Sequence, residues 1–287
     1  MSVKDHYSCS GCDLCLLACP AWRQTRDIRF TPHGRAKALQ HGAAAGELAA
    51  SLASCTLCGA CEPICPEQIP LVDLVIDLRR KLPSGEKVEF FEVKNEPTVR
   101  RLFSGKLLRK DIERLVRIAG LLDLEIAADD GSDISEALEK GVAIPPRRLE
   151  EFLKNLAGSI VVADGLLLHQ LRKWLPKKRF QSLGEALSGH EAVRAQLRAS
   201  DLYVIEPRAY HAQHERLVRY YDRMRVDIGL STNLDLQRLA VPTGSVEQAK
   251  WIIEGRSFDR LVVENPADCA LFSAVTDRPV VHVGDLA

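Results

Sequence analysis

The chain has 287 residues, with 39 Lys and Arg against 39 Asp and Glu, a formal net charge of zero. That balance gives no electrostatic reason to bind nucleic acid, and the 46% apolar fraction is ordinary for a chain with a packed core. The longest apolar stretch, Ile160 to Leu168, is interrupted by Asp164 and Gly165 and falls short of the ~20 residues that span a bilayer. Met1 to His6 lacks the apolar centre of a secretory leader, so a cytoplasmic location is expected, with docking on an inner-membrane partner left open.

Taken in order, the first feature is a cysteine run, Cys9-x2-Cys12-x2-Cys15-x3-Cys19-Pro20, and it recurs as Cys55-x2-Cys58-x2-Cys61-x3-Cys65-Pro66. This is the spacing of bacterial ferredoxins, in which three thiolates of one run hold a cube and the fourth ligates the other. Two-residue gaps let a tight loop wrap three corners of a cube, and the fourth corner is supplied from the partner run. Cys9, Cys12, Cys15 and Cys65 are therefore expected on one [4Fe-4S] cluster, and Cys55, Cys58, Cys61 and Cys19 on a second. Pro20 and Pro66 turn the chain away after each fourth ligand. Zinc knots and disulfides are the competing readings, and neither accounts for four cysteines repeated with identical gaps.

Between the runs, Thr31-Pro32-His33-Gly34 reads as a turn leading into alanine-rich helix, Arg35 to Leu39 and Glu47 to Leu52. After the second run Leu71, Leu74, Val75 and Leu78 recur at helical spacing, and Pro83-Ser84-Gly85 stops that helix. Residues 1–82 thus read as a helical dicluster domain. Residues 83–157 read as a polar linker, to about residue 105, followed by helices. The first of these carries Leu108, Ile112, Leu115, Val116, Ala119 and Leu122 on one face and ends at Asp129-Asp130-Gly131-Ser132-Asp133.

From residue 158 to 287 short apolar strands alternate with helices. Strands are expected at 159–163, 202–205, 260–263 and 280–283, and helices at 166–174, 190–198, 211–225 and 246–255. Alternation of this kind implies an α/β domain with a mainly parallel sheet. No dinucleotide fingerprint or phosphate-binding loop occurs.

The two cysteine runs, the Thr31-Pro32-His33-Gly34-Arg35 stretch and Cys55-Thr56-Leu57-Cys58-Gly59-Ala60-Cys61-Glu62 resemble the iron–sulfur subunits of glycolate and lactate oxidases. They also resemble the C and D subunits of heterodisulfide reductases. In those families α/β domains with cysteine-rich CCG motifs often follow, and in the heterodisulfide reductases these hold a further, non-cubane site. The resemblance implies that the second half is a CCG-type domain stripped of its ligands. Arg208 in Ile205-Glu206-Pro207-Arg208-Ala209-Tyr210 stands where the family has a cysteine, Ala240-Val241-Pro242-Thr243-Gly244 holds none, and Asn265-Pro266-Ala267-Asp268-Cys269 keeps one.

Other signals are weaker. Cys269 reads as a buried small apolar residue near a strand end, and His211 with His214 as a solvated or capping pair. Arg172 to Arg179 and Arg216 to Arg225 read as solvated faces, with docking through Trp174 as the competing view. Ser10, Thr56 and Gly59 are candidates for hydrogen bonds to cluster sulfur. The function expected is single-electron transfer within a multi-subunit oxidoreductase. The donor would be a flavoprotein or hydrogenase subunit, and the acceptor a quinone-reactive membrane subunit. The alternatives are a catalytic reductase or oxidase subunit using Cys269 or a shared site, and an assembly protein with structural clusters.

Overall fold

The computed structural model describes residues 4–83, 86–90, 100–232 and 240–287. Ser84, Gly85 and residues 91–99 of the expected linker fall outside them, as do Met1 to Val3.

The N-terminal region is helical because its apolar residues are spaced for helices and its polar ones cap them. Thr31 accepts a hydrogen bond from the Gly34 amide at 3.1 Å, and Pro32 sits at the first position of the helix Pro32–Gln40. Gly34 has to be small: a Cβ there would lie 2.0 Å from the Ile28 carbonyl oxygen. Gly34→Ala is accordingly expected to destabilise the fold by at least ~1 kcal/mol through backbone displacement, read as a lowered denaturant midpoint; an unchanged midpoint would contradict the close approach. The next long helix, Leu71–Arg80, buries Leu71, Val72, Val75, Ile76 and Leu78 on one face. Its free amide at Val72 is taken by the Glu62 carboxylate, 2.9 Å away.

Beyond the helices the described residues build two four-stranded parallel sheets. The first runs β2-β1-β3-β4, with β1 Arg100–Phe103, β2 Glu125–Ile126, β3 Ser159–Val162 and β4 Phe180–Ser182. The second repeats that order as β6-β5-β7-β8, with β5 Asp201–Val204, β6 Ser231–Thr232, β7 Arg260–Val263 and β8 Val280–His282. All the strand pairs among the described residues are parallel. The parallel α/β character matches the sequence reading, but there are two sheets. The first begins inside the segment read as linker and helices, so the boundary at residue 158 cuts through it. The reason is Arg101: it is 2% exposed, and its guanidinium leaves the strand to bond the Asn155 and Ala157 carbonyls.

The expected helix over 108–122 is two, Gly105–Arg109 and Ile112–Leu121, because Asp111 caps the second through the Arg114 amide. The aspartates after it are buried, not exposed breakers. Arg148 spans Asp129 and Asp133 with four hydrogen bonds of 2.7–2.9 Å, and Asp130 accepts from the Ser104 hydroxyl and the Gly105 amide.

Core packing joins the parts. Leu52, Leu57, Val75 and Ile76 of the helical region share one apolar cluster with Phe103, Ile160 and Val162 of the first sheet. Another cluster runs from Leu102 and Val161 to Tyr203 and Val262, joining the sheets to each other.

Candidate iron–sulfur centre

The two cysteine runs fold into loops whose side chains face two separate cavities. Cys9, Cys12, Cys15 and Cys65 line one, beside Ser10, Pro32 and His33. Cys19, Cys55, Cys58 and Cys61 line the other, with Thr56, Gly59 and apolar Leu71, Val72 and Val75. Each cavity thus receives three sulfurs from one run and one from the other. Among the described residues no three His, Cys, Asp or Glu side chains converge as a single ion requires. Thiolates set around a cube need no such convergence, since each meets its own iron.

Burial makes these thiols reluctant to ionise alone. Desolvation pushes Cys15 and Cys58 up to about 12 and raises Cys19 and Cys61 as well. A coordinating metal reverses that, because a bound thiol is deprotonated outright. Soft sulfur donors with apolar walls fit an iron–sulfur group, which supplies reversible one-electron chemistry when bound.

The backbone of the loops is held from several sides. Lys37 and Gln40 bond the Cys9 carbonyl at 3.1 and 3.0 Å. Around the second cavity Arg79 reaches the Leu52 and Cys55 carbonyls at 2.8 and 2.6 Å. From the far half of the chain, the helix Pro207–Ala212 contributes two more clamps. Arg208 donates twice to the Thr56 carbonyl, at 3.1 and 2.8 Å, and His211 Nδ1 donates to the Cys58 carbonyl at 2.9 Å. Gly59, at φ +76°, leaves room for His211, whose Cβ would be 3.2 Å from a Cβ at that glycine.

His211 therefore differs from the expected solvated or capping role: burial lowers it to about 3 and keeps it neutral, stacked against His214 at 6.5 Å. Arg208 is a bridge between the cluster loop and Glu139. Cys269 is half-buried beside the apolar cluster of Val204, Ile252 and Phe272, while its neighbour Asp268 lines a separate cleft. Trp174 packs partly buried on the core, and Lys173 of the same basic run pairs with Asp73 at 2.5 Å. The roles of Arg79, Arg208 and His211 escape sequence reasoning because each acts on a loop 24 to 153 residues away.

Residues 5–69 match the family of 4Fe-4S dicluster domains. The chain is thus an iron–sulfur protein with a ferredoxin-like N-terminal domain. It is 36% identical over 81 residues to the C subunit of ferredoxin:CoB-CoM heterodisulfide reductase from Methanosarcina mazei, a match covering 26% of this chain and 45% of that one. It is 35% identical, with the same coverage, to the C subunit of the ferredoxin/F(420)H(2)-dependent CoB-CoM heterodisulfide reductase from Methanosarcina acetivorans. The chain spans about half the length of the curated relatives it matches, and no solved structure matches it. Among the described residues no helix is long and apolar enough to cross a membrane.

Proposed function

We propose that the chain is an electron-transfer subunit of a heterodisulfide-reductase-like complex, relaying single electrons through two [4Fe-4S] clusters. Cys9, Cys12, Cys15 and Cys65 hold one, and Cys19, Cys55, Cys58 and Cys61 the other. The observation that carries this is the pair of cavities, each bounded by four cysteines drawn three and one from the two runs. Their shared apolar surroundings, with Leu71 lining both, favour two centres close enough for an electron to pass between them.

The α/β half serves as scaffold and docking frame, a CCG-type domain without its cysteine ligands. The donor is a flavoprotein or hydrogenase subunit, and the acceptor includes a quinone-reactive membrane subunit. Iron and acid-labile sulfide measured on anaerobically purified protein should each reach about eight per chain. Dithionite should then produce EPR signals of reduced cubes; four or fewer irons, or silence after reduction, sinks the reading.

A further inference from the structure

Parallel strands end together at one edge of a sheet, and where the strand order reverses their loops part to leave a crevice. The reversal falls between β1 and β3 in one sheet and between β5 and β7 in the other. Residues just past all four strands line a single cleft of about 560 Å³: Gly105, Asp164, Glu206 and Glu264. That volume is in the range of small-molecule sites. Thr56 and Cys58 line the cleft and also the second cysteine cavity.

Charge divides between rim and floor. At the rim Lys106 and Lys140 both pair with Glu136, and Arg208 pairs with Glu139. The floor holds Asp164, Glu206, Glu264 and Asp268, and among the described residues none of these makes a salt bridge with Lys or Arg. Three of them have other partners. Asp164 accepts from the Leu166 and Leu167 amides and the Ser135 hydroxyl. Glu206 accepts from the Ala209 amide, and Glu264 from the Tyr203 and Tyr221 hydroxyls and the Glu206 amide.

Asp268 is different. It is 2% exposed, and its Oδ2 has no hydrogen-bond partner. Thr243 lies beside it, close enough to influence the carboxyl, without a well-formed bond between them, and the Thr243 hydroxyl is also unpartnered. A buried acceptor left unmatched at the floor of a cleft is costly, and an occupant with N–H donors would satisfy it.

We propose that this cleft is a binding site for a small organic cation, a molecule bearing a protonated amine or guanidinium group that donates to Asp268. The remaining floor carboxyls match its charge. No three of these side chains converge as a bare metal ion would need, among the described residues. The electrostatics agree: burial pushes Glu206 and Glu264 up to about 7, with the charge of Asp164 adding at Glu206 and that of Glu206 at Glu264. Burial with both glutamates raises Asp268 well above the usual carboxylate range, a penalty that a bound cation relieves.

Calorimetric titration of the anaerobically purified full chain tests this with agmatine, putrescine and spermidine as probes, and with glycolate and glutarate as acidic controls. At least one cation should bind saturably and neither acid should. Asp268→Asn should weaken that binding at least ~10-fold, as expected for losing a hydrogen bond to a charged group. Gly244→Phe, which obstructs the exposed mouth and leaves the floor intact, should abolish it and serves as the second variant if Asp268→Asn does not fold. The proposal is overturned if no cation binds at millimolar concentration, if an acid binds instead, or if binding survives Gly244→Phe. Because the titration reads binding directly, its failure is distinct from a failure of the cluster assignment, which iron analysis decides.

Discussion

Cys19→Ser and Cys55→Ser should damage the same cluster, although 35 residues separate the two positions. Each supplies a sulfur to the second cavity, so each variant should fall from about eight irons toward about four, or keep a three-iron remnant, with the first cluster's EPR signal unchanged. Cys9→Ser and Cys65→Ser should form the complementary pair. An uncrossed arrangement would instead group Cys19 with Cys9 and Cys55 with Cys65. Finding that grouping by EPR and iron analysis would refute the crossed assignment. No other single substitution is expected to change the protein's chemistry as much, since a cube short of one thiolate loses or exchanges an iron.

The largest effect on stability should come from Arg148→Met. The guanidinium is 5% exposed and grips Asp129 and Asp133, each about 1% exposed. Burial already raises the Asp129 carboxyl, and removing the cation leaves two acids in an apolar setting beside Phe152, whose ring lies 5.5 Å from Arg148. Breaking a buried pair of this kind costs about 3–5 kcal/mol, or on the order of 10 °C in Tm for a domain of this size. Replacing all three groups together, Arg148→Met with Asp129→Leu and Asp133→Leu, should recover most of the loss. Calorimetry showing equal Tm for wild type and Arg148→Met would mean the network contributes nothing.

The strands legible in the sequence are those written in aliphatic residues. Ser159–Val162 and Arg260–Val263 read directly as buried parallel strands, and the structure places them where expected. Arg100–Phe103 does not, because two arginines open it, and a strand whose charged side chain escapes to loop carbonyls carries no periodic signature. The strands Glu125–Ile126 and Ser231–Thr232 are two residues long, too short for any pattern. Phe180–Ser182, a three-residue strand after a basic run, goes unread as well, and without these four strands two sheets read as one.

The cysteines are legible for the opposite reason. Spacing along the chain is itself the chemical constraint, and it survives without any knowledge of the fold. What surrounds them is not encoded that way: Arg208 and His211 meet the loop carrying Cys55 and Cys58 only through the tertiary fold, from 152 and 153 residues away. Likewise the cleft floor draws on residues that follow three different strands, so in sequence Asp268 and Glu206 look like scattered surface acids.

The reach of Arg208 has a consequence for how the protein is made. Thr56 leaves the ribosome 152 residues ahead of the arginine that clamps its carbonyl. During synthesis the loop carrying Cys55, Cys58 and Cys61 therefore emerges without its brace, while Lys37 and Gln40 already fasten the Cys9 carbonyl. Any cofactor delivery would be ordered accordingly: the loop of the first cavity is braced by residues made soon after it, whereas that of the second gains its Arg208 clamp only once the strand Asp201–Val204 has been made.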